Sequence, residues 1–291
     1  MFSLKESPQK ERVINPEFPR VSRRESAKTA VVSIGSTPFG GDAFQVIAGP
    51  CAVESEEIIS SAARMVASMG ARVLRGGAFK PRTSPYSFQG LGMEGVHLLR
   101  KAALAAGIPF VTEVLAPEWV EKMAPHVDAF QIGARNMHNF DLLREVGKSG
   151  RPVLLKRSFG ATVKEWVFAA EYIANEGNED IILCERGIRS FDQATRFTLD
   201  IAGAMWAKHE TRLPVIIDPS HAIGLPHLIG GAVAATAAAG LDGVIVEVHP
   251  NPAIARCDGD QALTVADFEA LMARLRPIAE AMGRSLESGT P

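Results

Sequence analysis

The chain is poor in cysteine and has no long apolar run, and each shortage excludes a class of protein. Its 291 residues contain 3 cysteines, Cys51, Cys184 and Cys257, and no CxxC pair. An odd number of widely spaced cysteines argues against a disulfide framework and favours a reducing compartment. No apolar stretch approaches the roughly 20 residues that span a bilayer. We therefore expect a cytoplasmic protein that does not act in a membrane.

An excess of charge of one sign is also missing. Lysine and arginine number 31 against 33 aspartates and glutamates, which gives a net charge of -2. This balance provides no global basic field for nucleic acid or for an anionic membrane. Any anion that the protein binds must therefore be held by a local arrangement of cations.

The N-terminus lacks the apolar core of a signal peptide, because charge begins at Lys5. Residues 1–29 are polar and interrupted by prolines, so they are predicted to form an extended arm, either disordered or packed on a neighbouring subunit. A short strand over 29–34 and a turn rich in glycine and proline follow. The predicted organisation is an arm and short strand over 1–44, a barrel over 45–283 and a tail over 284–291.

The rest of the chain alternates short apolar runs with longer amphipathic segments. The predicted strands are 45–49, 72–75, 109–114, 129–133, 152–156, 181–185, 215–218 and 243–248. The predicted helices are 55–69, 93–106, 117–124, 139–148, 162–176, 191–208, 227–239 and 265–282. Such alternation predicts an α/β protein whose parallel sheet is covered on both faces.

Eight strand–helix units in about 240 residues fit a closed (β/α)8 TIM barrel with a short N-terminal extension. A doubly wound open sheet is the alternative architecture. That fold usually carries a glycine fingerprint after its first strand, and Gly49-Pro-Cys51 is not one.

Every predicted strand delivers a polar or metal-competent group at or near its C-terminal end. These groups are Cys51, Arg75, Glu113, Arg135, Lys156 with Arg157, Glu185 with Arg186, Asp218 with His221, and Glu247 with His249. In a barrel these ends meet at one mouth, where active sites are built. Chance would supply two or three such groups, so the full set indicates an enzyme.

Many of these groups are cationic, and they begin in the segment Arg75-Gly-Gly-Ala-Phe-Lys-Pro-Arg-Thr-Ser-Pro85. The cations expected at the mouth are Arg75, Lys80, Arg82, Arg135, Lys156, Arg157 and Arg186. So much positive charge is stable only opposite several negative charges, which predicts a polyanionic substrate. For any single arginine, a salt bridge at the rim is the alternative.

Four further residues have side chains that bind metals: Cys51, His221, Glu247 and Asp258. One soft, one borderline and two hard donors suit Mn, Fe, Co or Zn better than Ca. The alternatives are a small buried Cys51 and a His221 that only begins a helix. Cys257 is expected near Cys51, in an exposed position, and is not expected to be a ligand.

These residues stand in motifs that resemble one enzyme family along residues 31–283. The motifs are Ile47-Ala-Gly-Pro-Cys51, Arg75-Gly-Gly-Ala-Phe-Lys-Pro-Arg-Thr-Ser84, Gly133-Ala-Arg135, Leu155-Lys156, Cys184-Glu-Arg-Gly187, Asp218-Pro-Ser-His221 and Val246-Glu-Val-His249. The sequence resembles 3-deoxy-D-arabino-heptulosonate 7-phosphate (DAHP) synthase, in the short bacterial and archaeal branch of its class I family.

The resemblance implies an enzyme that condenses phosphoenolpyruvate with erythrose 4-phosphate, the first step of the shikimate pathway. It implies one divalent metal ion per subunit and a homotetramer or homodimer, with a separate chorismate mutase as a candidate partner. The implied metal ligands are Cys51, His221, Glu247 and Asp258. The implied phosphoenolpyruvate site is Arg75, Lys80, Arg135, Lys156 and Arg186. The implied erythrose 4-phosphate site is Arg82, Thr83, Ser84 and Asp218. Lys80 and Glu185 are the candidates for handling protons or water.

Two other functions stay open beside this one. Relatives that make 3-deoxy-D-manno-octulosonate 8-phosphate from arabinose 5-phosphate share the barrel. They typically read Lys-Ala-Asn-Arg-Ser-Ser where this chain has Lys80-Pro-Arg-Thr-Ser84, which disfavours that activity. A non-catalytic barrel is the third hypothesis, and retention of all four metal-binding residues argues against it. Fewer than about 45 residues precede the barrel, too few for a regulatory domain, so we expect no feedback inhibition by phenylalanine or tyrosine.

Overall fold

The chain folds into a closed barrel of eight parallel strands, which confirms the predicted fold class. The computed structural model describes residues 14–23, 28–81 and 84–286. A hairpin of β1 (Val32–Ile34) and β2 (Thr37–Phe39) precedes the barrel. The barrel strands are β3 (Gln45–Gly49), β4 (Val73–Arg75), β5 (Phe110–Glu113), β6 (Ala129–Ile132), β7 (Val153–Lys156), β8 (Ile181–Glu185), β9 (Val215–Ile217) and β10 (Gly243–Glu247).

The strands pair in chain order, and β10 closes the ring on β3. The closing register runs from Gly243 opposite Gln45 to Glu247 opposite Gly49. Every residue of the eight strands is buried. Burial on both faces explains why the strands read as nearly continuous apolar runs.

Helices surround the barrel and begin at residues that cap them. They are α1 (Glu56–Ser68), α2 (Met93–Ala106), α3 (Pro117–Met123), α4 (Phe140–Lys148), α5 (Val163–Asn175), α6 (Ile201–Glu210), α7 (Pro219–Ile223), α8 (Pro226–Ala238) and α9 (Val265–Ala281). Thr162 and Glu165 form a capping box at the start of α5, and Thr264 and Asp267 form another at α9. Each box satisfies backbone N–H groups that the first helical turn leaves without partners.

The hairpin closes the amino end of the barrel with apolar side chains. Val32, Ile34 and Phe39 are at most 1% exposed and pack in one cluster with interior residues such as Ile47 and Val73. The strands therefore start over an apolar plug, and the polar groups lie at their other ends.

One predicted helix and one predicted turn were wrong in their bounds. The helix expected over 191–208 begins only at Ile201, because Asp200 accepts a hydrogen bond from the Gly203 N–H at 2.7 Å and so starts α6 there. Before it, Thr198 pairs with Ile188 in a bridge. The turn expected after residue 34 contains β2. No helix in the described ranges is long and apolar enough to cross a membrane.

Candidate active site

A cavity of about 320 Å³ opens at the carboxyl ends of the strands. Five residues of its lining were expected as a phosphoenolpyruvate site, and the structure brings them all there. Those five are Arg75, Lys80, Arg135, Lys156 and Arg186. His221 and Asp258 also line the cavity, so it borders the expected metal site.

The four expected metal ligands lie together beside this cavity. Cys51, His221, Glu247 and Asp258 each offer one ligand atom, and these atoms lie within 4.8 Å of one another. Glu247 ends β10, Cys51 follows β3, and His221 lies in the short helix α7 after β9. Asp258 adopts a left-handed backbone conformation (φ 53°), which is uncommon outside glycine. A four-residue set of mixed hardness fits a divalent transition metal.

Asp218 fixes the orientation of His221. Its Oδ1 accepts from the His221 backbone N–H at 3.0 Å, and its Oδ2 lies 2.7 Å from Nδ1. Nε2 then lies 3.1 Å from Oε1 of Glu247. Burial alone would lower the pKa of His221, but the charges of Asp218 and Glu247 raise it to about 9. A carboxylate on one imidazole nitrogen directs the other nitrogen to the metal position.

Two buried cations contact the same cluster. Arg75 Nη1 donates to Glu247 Oε1 at 2.9 Å. Lys80 Nζ donates to the Cys51 carbonyl at 3.1 Å and lies 3.0 Å from Cys51 Sγ. Burial opposes the charge of Lys80, yet the nearby sulfur of Cys51 raises its pKa. Burial likewise opposes the charge of Glu247, and His221 and Arg75 hold its pKa well below its usual range.

Cys257 is the nearest sulfur to Cys51, at 3.3 Å. The prediction that it lies near Cys51 is confirmed, but the expected exposure was wrong, because Cys257 is only 4% exposed. Its hydrogen bond with Cys51, together with burial, raises the pKa of the Cys51 thiol well above its usual value. The contact with Cys257 and the burial of Cys51 therefore favour the thiol over the thiolate at this position.

Two further buried cations, Lys156 and Arg186, also line the cavity. Lys156 is paired with Asp218. Arg186 Nη2 donates to the His221 carbonyl at 3.1 Å, whereas its buried Nη1 has no hydrogen-bond partner among the described residues. Burial lowers the pKa of Arg186. A buried guanidinium with an unused donor at a cavity wall is suited to an anion from solution.

Several predicted residues stand apart from this arrangement. Glu185 is fully buried outside the cavity lining, and its Oε1 accepts from the Gly187 N–H at 2.7 Å. Burial raises its pKa to about 7. Arg157 pairs with Asp200 at 2.7 Å and does not line the cavity. Ser84 does line it, while residues 82 and 83, the predicted Arg82 and Thr83, lie outside the described ranges.

Sequence reasoning assigned no role to other residues of the lining. These include Gln131, Gly133, Phe159, Arg196 and Phe197. Gly133 belongs to the motif Gly133-Ala-Arg135. Lack of space explains the glycine, because a Cβ at this position would lie 1.9 Å from Oε1 of Glu113. Arg196 and Phe197 had no usable signal, because they fell inside the wrongly extended helix.

The chain is similar to a known enzyme family over most of its length. The model of the DAHP synthetase I family matches residues 26–282. The phospho-2-dehydro-3-deoxyheptonate aldolase of Thermotoga maritima is 47% identical over 272 residues, which cover 94% of this chain and 80% of that protein. The 2-dehydro-3-deoxyphosphooctonate aldolase of Geobacter sulfurreducens is 32% identical over 271 residues, covering 86% and 98%.

Solved structures agree with the sequence comparison. The crystal structure of the Thermotoga maritima DAHP synthase has a TM-score of 0.88 at 46% identity, covering 91% of this chain and 78% of that one. A truncated form of the same organism's synthase has a TM-score of 0.86 at 42% identity, covering 92% and 98%. The heptonate relative is thus more similar than the octonate relative. The chain belongs to the DAHP synthetase I family.

Proposed function

We propose that the chain condenses phosphoenolpyruvate with erythrose 4-phosphate and water to give 3-deoxy-D-arabino-heptulosonate 7-phosphate and phosphate. This reaction opens the biosynthesis of aromatic amino acids. The observation that carries the proposal is the juxtaposition of a four-ligand metal cluster with a cavity lined by cations. Two phosphorylated substrates need the cations, and an aldehyde electrophile needs activation.

Phosphoenolpyruvate is held by Arg75, Lys80, Arg135, Lys156 and Arg186 in this proposal. Arg186 supports it most directly, because its buried Nη1 has no described partner and phosphate or carboxylate oxygens would supply one. Arg135 is exposed on the same cavity. Together these cations neutralise the substrate and hold C3 of phosphoenolpyruvate toward the second substrate.

The second substrate is bound by its phosphate at Arg82, Thr83 and Ser84, as the resemblance implies. Ser84 lines the cavity, which supports its assignment to this phosphate site. Asp218 is fully buried and engaged by Lys156 and His221. We therefore assign Asp218 the task of orienting those two residues.

One divalent ion, Mn, Fe, Co or Zn, is held by Cys51, His221, Glu247 and Asp258. When bound, it supplies a Lewis acid for the aldehyde oxygen. The donors fit because they combine a thiol, an imidazole and two carboxylates within 4.8 Å. The raised pKa values of Cys51 and His221 mean that ligand protons leave on binding, so metal affinity increases with pH.

The reaction requires groups of the chain that transfer protons and hold the attacking water. C3 of phosphoenolpyruvate bonds to the aldehyde carbon, water adds at C2, and phosphate leaves by C–O cleavage. Lys80 lies at the cavity and is the candidate for proton transfer or for holding the water. Glu185 does not line the cavity, so its contribution is to hold the Gly187 turn beside Arg186.

The test is phosphate release from phosphoenolpyruvate with erythrose 4-phosphate or arabinose 5-phosphate, with and without a chelator. We expect release with erythrose 4-phosphate, loss after chelation, and recovery on adding Mn²⁺ or Co²⁺. Release only with arabinose 5-phosphate would replace the proposal by the octulosonate reaction, which the 32% identical relative favours. No release with either sugar would support a non-catalytic barrel.

The proposal also covers the location, the subunit number and the regulation of the enzyme. We propose a cytoplasmic homotetramer or homodimer without feedback inhibition by phenylalanine or tyrosine on the chain alone, with a separate chorismate mutase as a possible partner. Sedimentation gives the number of subunits, and phosphate release in the presence of each amino acid tests the regulation. A reducing cytoplasm suits the sulfur atoms of Cys51 and Cys257, which lie 3.3 Å apart as thiols.

A further inference from the structure

Gln261 connects the metal cluster to the wall of the cavity. It ends a 3-10 helix (Gly259–Gln261) that starts just after Asp258, and it is 5% exposed. Its Nε2 donates to Oε2 of Glu247 at 2.5 Å. Its Oε1 accepts from Nη1 of Arg196 at 2.6 Å. These two partners set the orientation of the amide, since the reversed amide would place oxygen against carboxylate and NH₂ against guanidinium.

Both oxygens of the Glu247 carboxylate have polar partners. Oε1 lies 2.9 Å from Arg75 Nη1 and 3.1 Å from His221 Nε2. Gln261 is the partner of Oε2. The backbone of Glu247 is held as well, because its N–H donates to Ser220 Oγ at 2.9 Å. The remaining freedom is rotation of the carboxylate, which the Gln261 amide restrains.

Arg196 reaches Gln261 from the loop between β8 and α6. The Arg196 N–H donates to the Ile223 carbonyl at 2.9 Å, and the Phe197 N–H donates to the Ala222 carbonyl at 2.7 Å. These bonds attach the loop to α7, the helix that contains His221. Arg196 also lines the cavity. A cavity cation, a buried amide and a buried carboxylate therefore form one continuous chain of contacts.

We propose that Gln261 is a positioning residue, which holds the Glu247 carboxylate for the metal and is itself oriented by Arg196. The inference rests on the proposed function, because it takes Glu247 as a ligand. Without the amide donor, Oε2 of Glu247 loses its partner, and only the contacts at Oε1 restrain the carboxylate. Loss of such an outer partner typically weakens metal binding by about 10- to 100-fold.

The test is Co²⁺ binding to the metal-stripped full chain, measured by calorimetry and by the absorption bands of the thiolate–cobalt site. Gln261→Leu is expected to raise the Kd by about 10- to 100-fold and to shift the bands. Arg196→Met keeps the amide but removes its orienting partner, so a smaller rise of about threefold is expected. Arg189→Met is the matched control, because Arg189 packs over Phe159 at 4.4 Å and does not line the cavity.

The outcomes separate this inference from the metal assignment. If the unsubstituted chain binds no Co²⁺, the metal assignment fails and the inference fails with it. If the unsubstituted chain and Gln261→Leu bind Co²⁺ equally well, with equal melting temperatures, the inference alone is overturned. If Gln261→Leu does not fold, Arg196→Met decides, and an affinity equal to that of Arg189→Met overturns the inference.

Discussion

Side chains are almost fully buried at both ends of the barrel, but burial has opposite effects on the stability of the fold at the two ends. At the amino end, Val32 and Phe39 are at most 1% exposed, and at the carboxyl end Arg75, Lys156 and Glu247 are at most 4% exposed. Burial of apolar surface stabilises the fold by roughly 25 cal/mol per Å². Burial of charge costs free energy that pairing only partly offsets. Apolar burial at the amino end therefore stabilises the fold. Burial of charged groups at the carboxyl end lowers the stability, and it is this end that forms the candidate active site.

Cys51→Ala should have the largest effect, and mainly on chemistry. Removing a ligand from the cluster should lower phosphate release by about four orders of magnitude, which equals about 5.5 kcal/mol of transition-state stabilisation. The free energy of unfolding of the metal-free protein should fall by only about 1 kcal/mol, because the substitution leaves a small cavity. Steady-state assays with saturating metal and urea titrations measure the two quantities.

The matched control for that variant is Cys184→Ala, since Cys184 is also fully buried but packs in the barrel interior. It should keep its activity and lose about 1 kcal/mol of stability through the small cavity. Equal loss of activity in both variants would show that burial, and not metal ligation, explains the effect at Cys51.

Phe39→Ala should have the next largest effect, and only on stability. Truncating this buried ring should lower the free energy of unfolding by about 3–5 kcal/mol. The folded fraction should keep its kcat and its Co²⁺ affinity, because the ring lies at the far end from the cavity. A large change in kcat per folded molecule would refute the division of labour between the two ends.

Glu185→Gln should remove a pH dependence of stability. The pKa of this buried carboxyl is raised from 4.5 to about 7, so its charged form is favoured in the unfolded chain. Its stabilising contribution is complete below about pH 4.5 and is lost as the pH rises to about 7, an effect of about 3 kcal/mol. Urea titrations across this range should show that loss in the parent and not in the variant.

The exposed Glu269→Gln variant on α9 is the control for this measurement. It should follow the parent at every pH. A Glu185→Gln protein with the parent's slope would mean that Glu185 is ionised in the folded state throughout the range.

Arg82→Ala should have the smallest effect, confined to one substrate. Loss of a charged hydrogen bond of about 1.5–3 kcal/mol should raise the KM for erythrose 4-phosphate by about 10- to 100-fold. The KM for phosphoenolpyruvate should change much less. Arg64→Ala, on the exposed face of α1, is the control. Equal increases in both KM values would contradict separate sites for the two substrates.

The barrel could be predicted because each strand carries its own signal, an apolar run of the right length between turn residues. The prediction failed where that local signal competed with a tertiary one. Residues 191–200 contain no glycine or proline that would end a helix, but Thr198 pairs with Ile188 and Asp200 starts the helix later. β2 was missed because Pro38 and the nearby glycines are typical of a turn.

The site could be predicted as far as residue type and strand ends determine it. The four candidate metal ligands and five cations meet because parallel strands deliver their carboxyl ends to one mouth. Gln261 could not be found in this way. Its partners are Glu247, on a strand, and Arg196, 65 positions away on a loop, and no local pattern in the sequence records such contacts.

Gly133 sets a limit on how the gene can vary. The carboxylate of Glu113 fills the space where any other residue at 133 would place its first side-chain carbon, only 1.9 Å from Oε1. Even alanine would force Glu113 to move within the cavity. In a library of all single substitutions, functional variants at position 133 should therefore be those in which the Glu113 carboxylate can turn aside, although residue 133 is not among the proposed ligands or proton carriers. The role of Gly133 is to have no Cβ, which leaves that space to the Glu113 carboxylate.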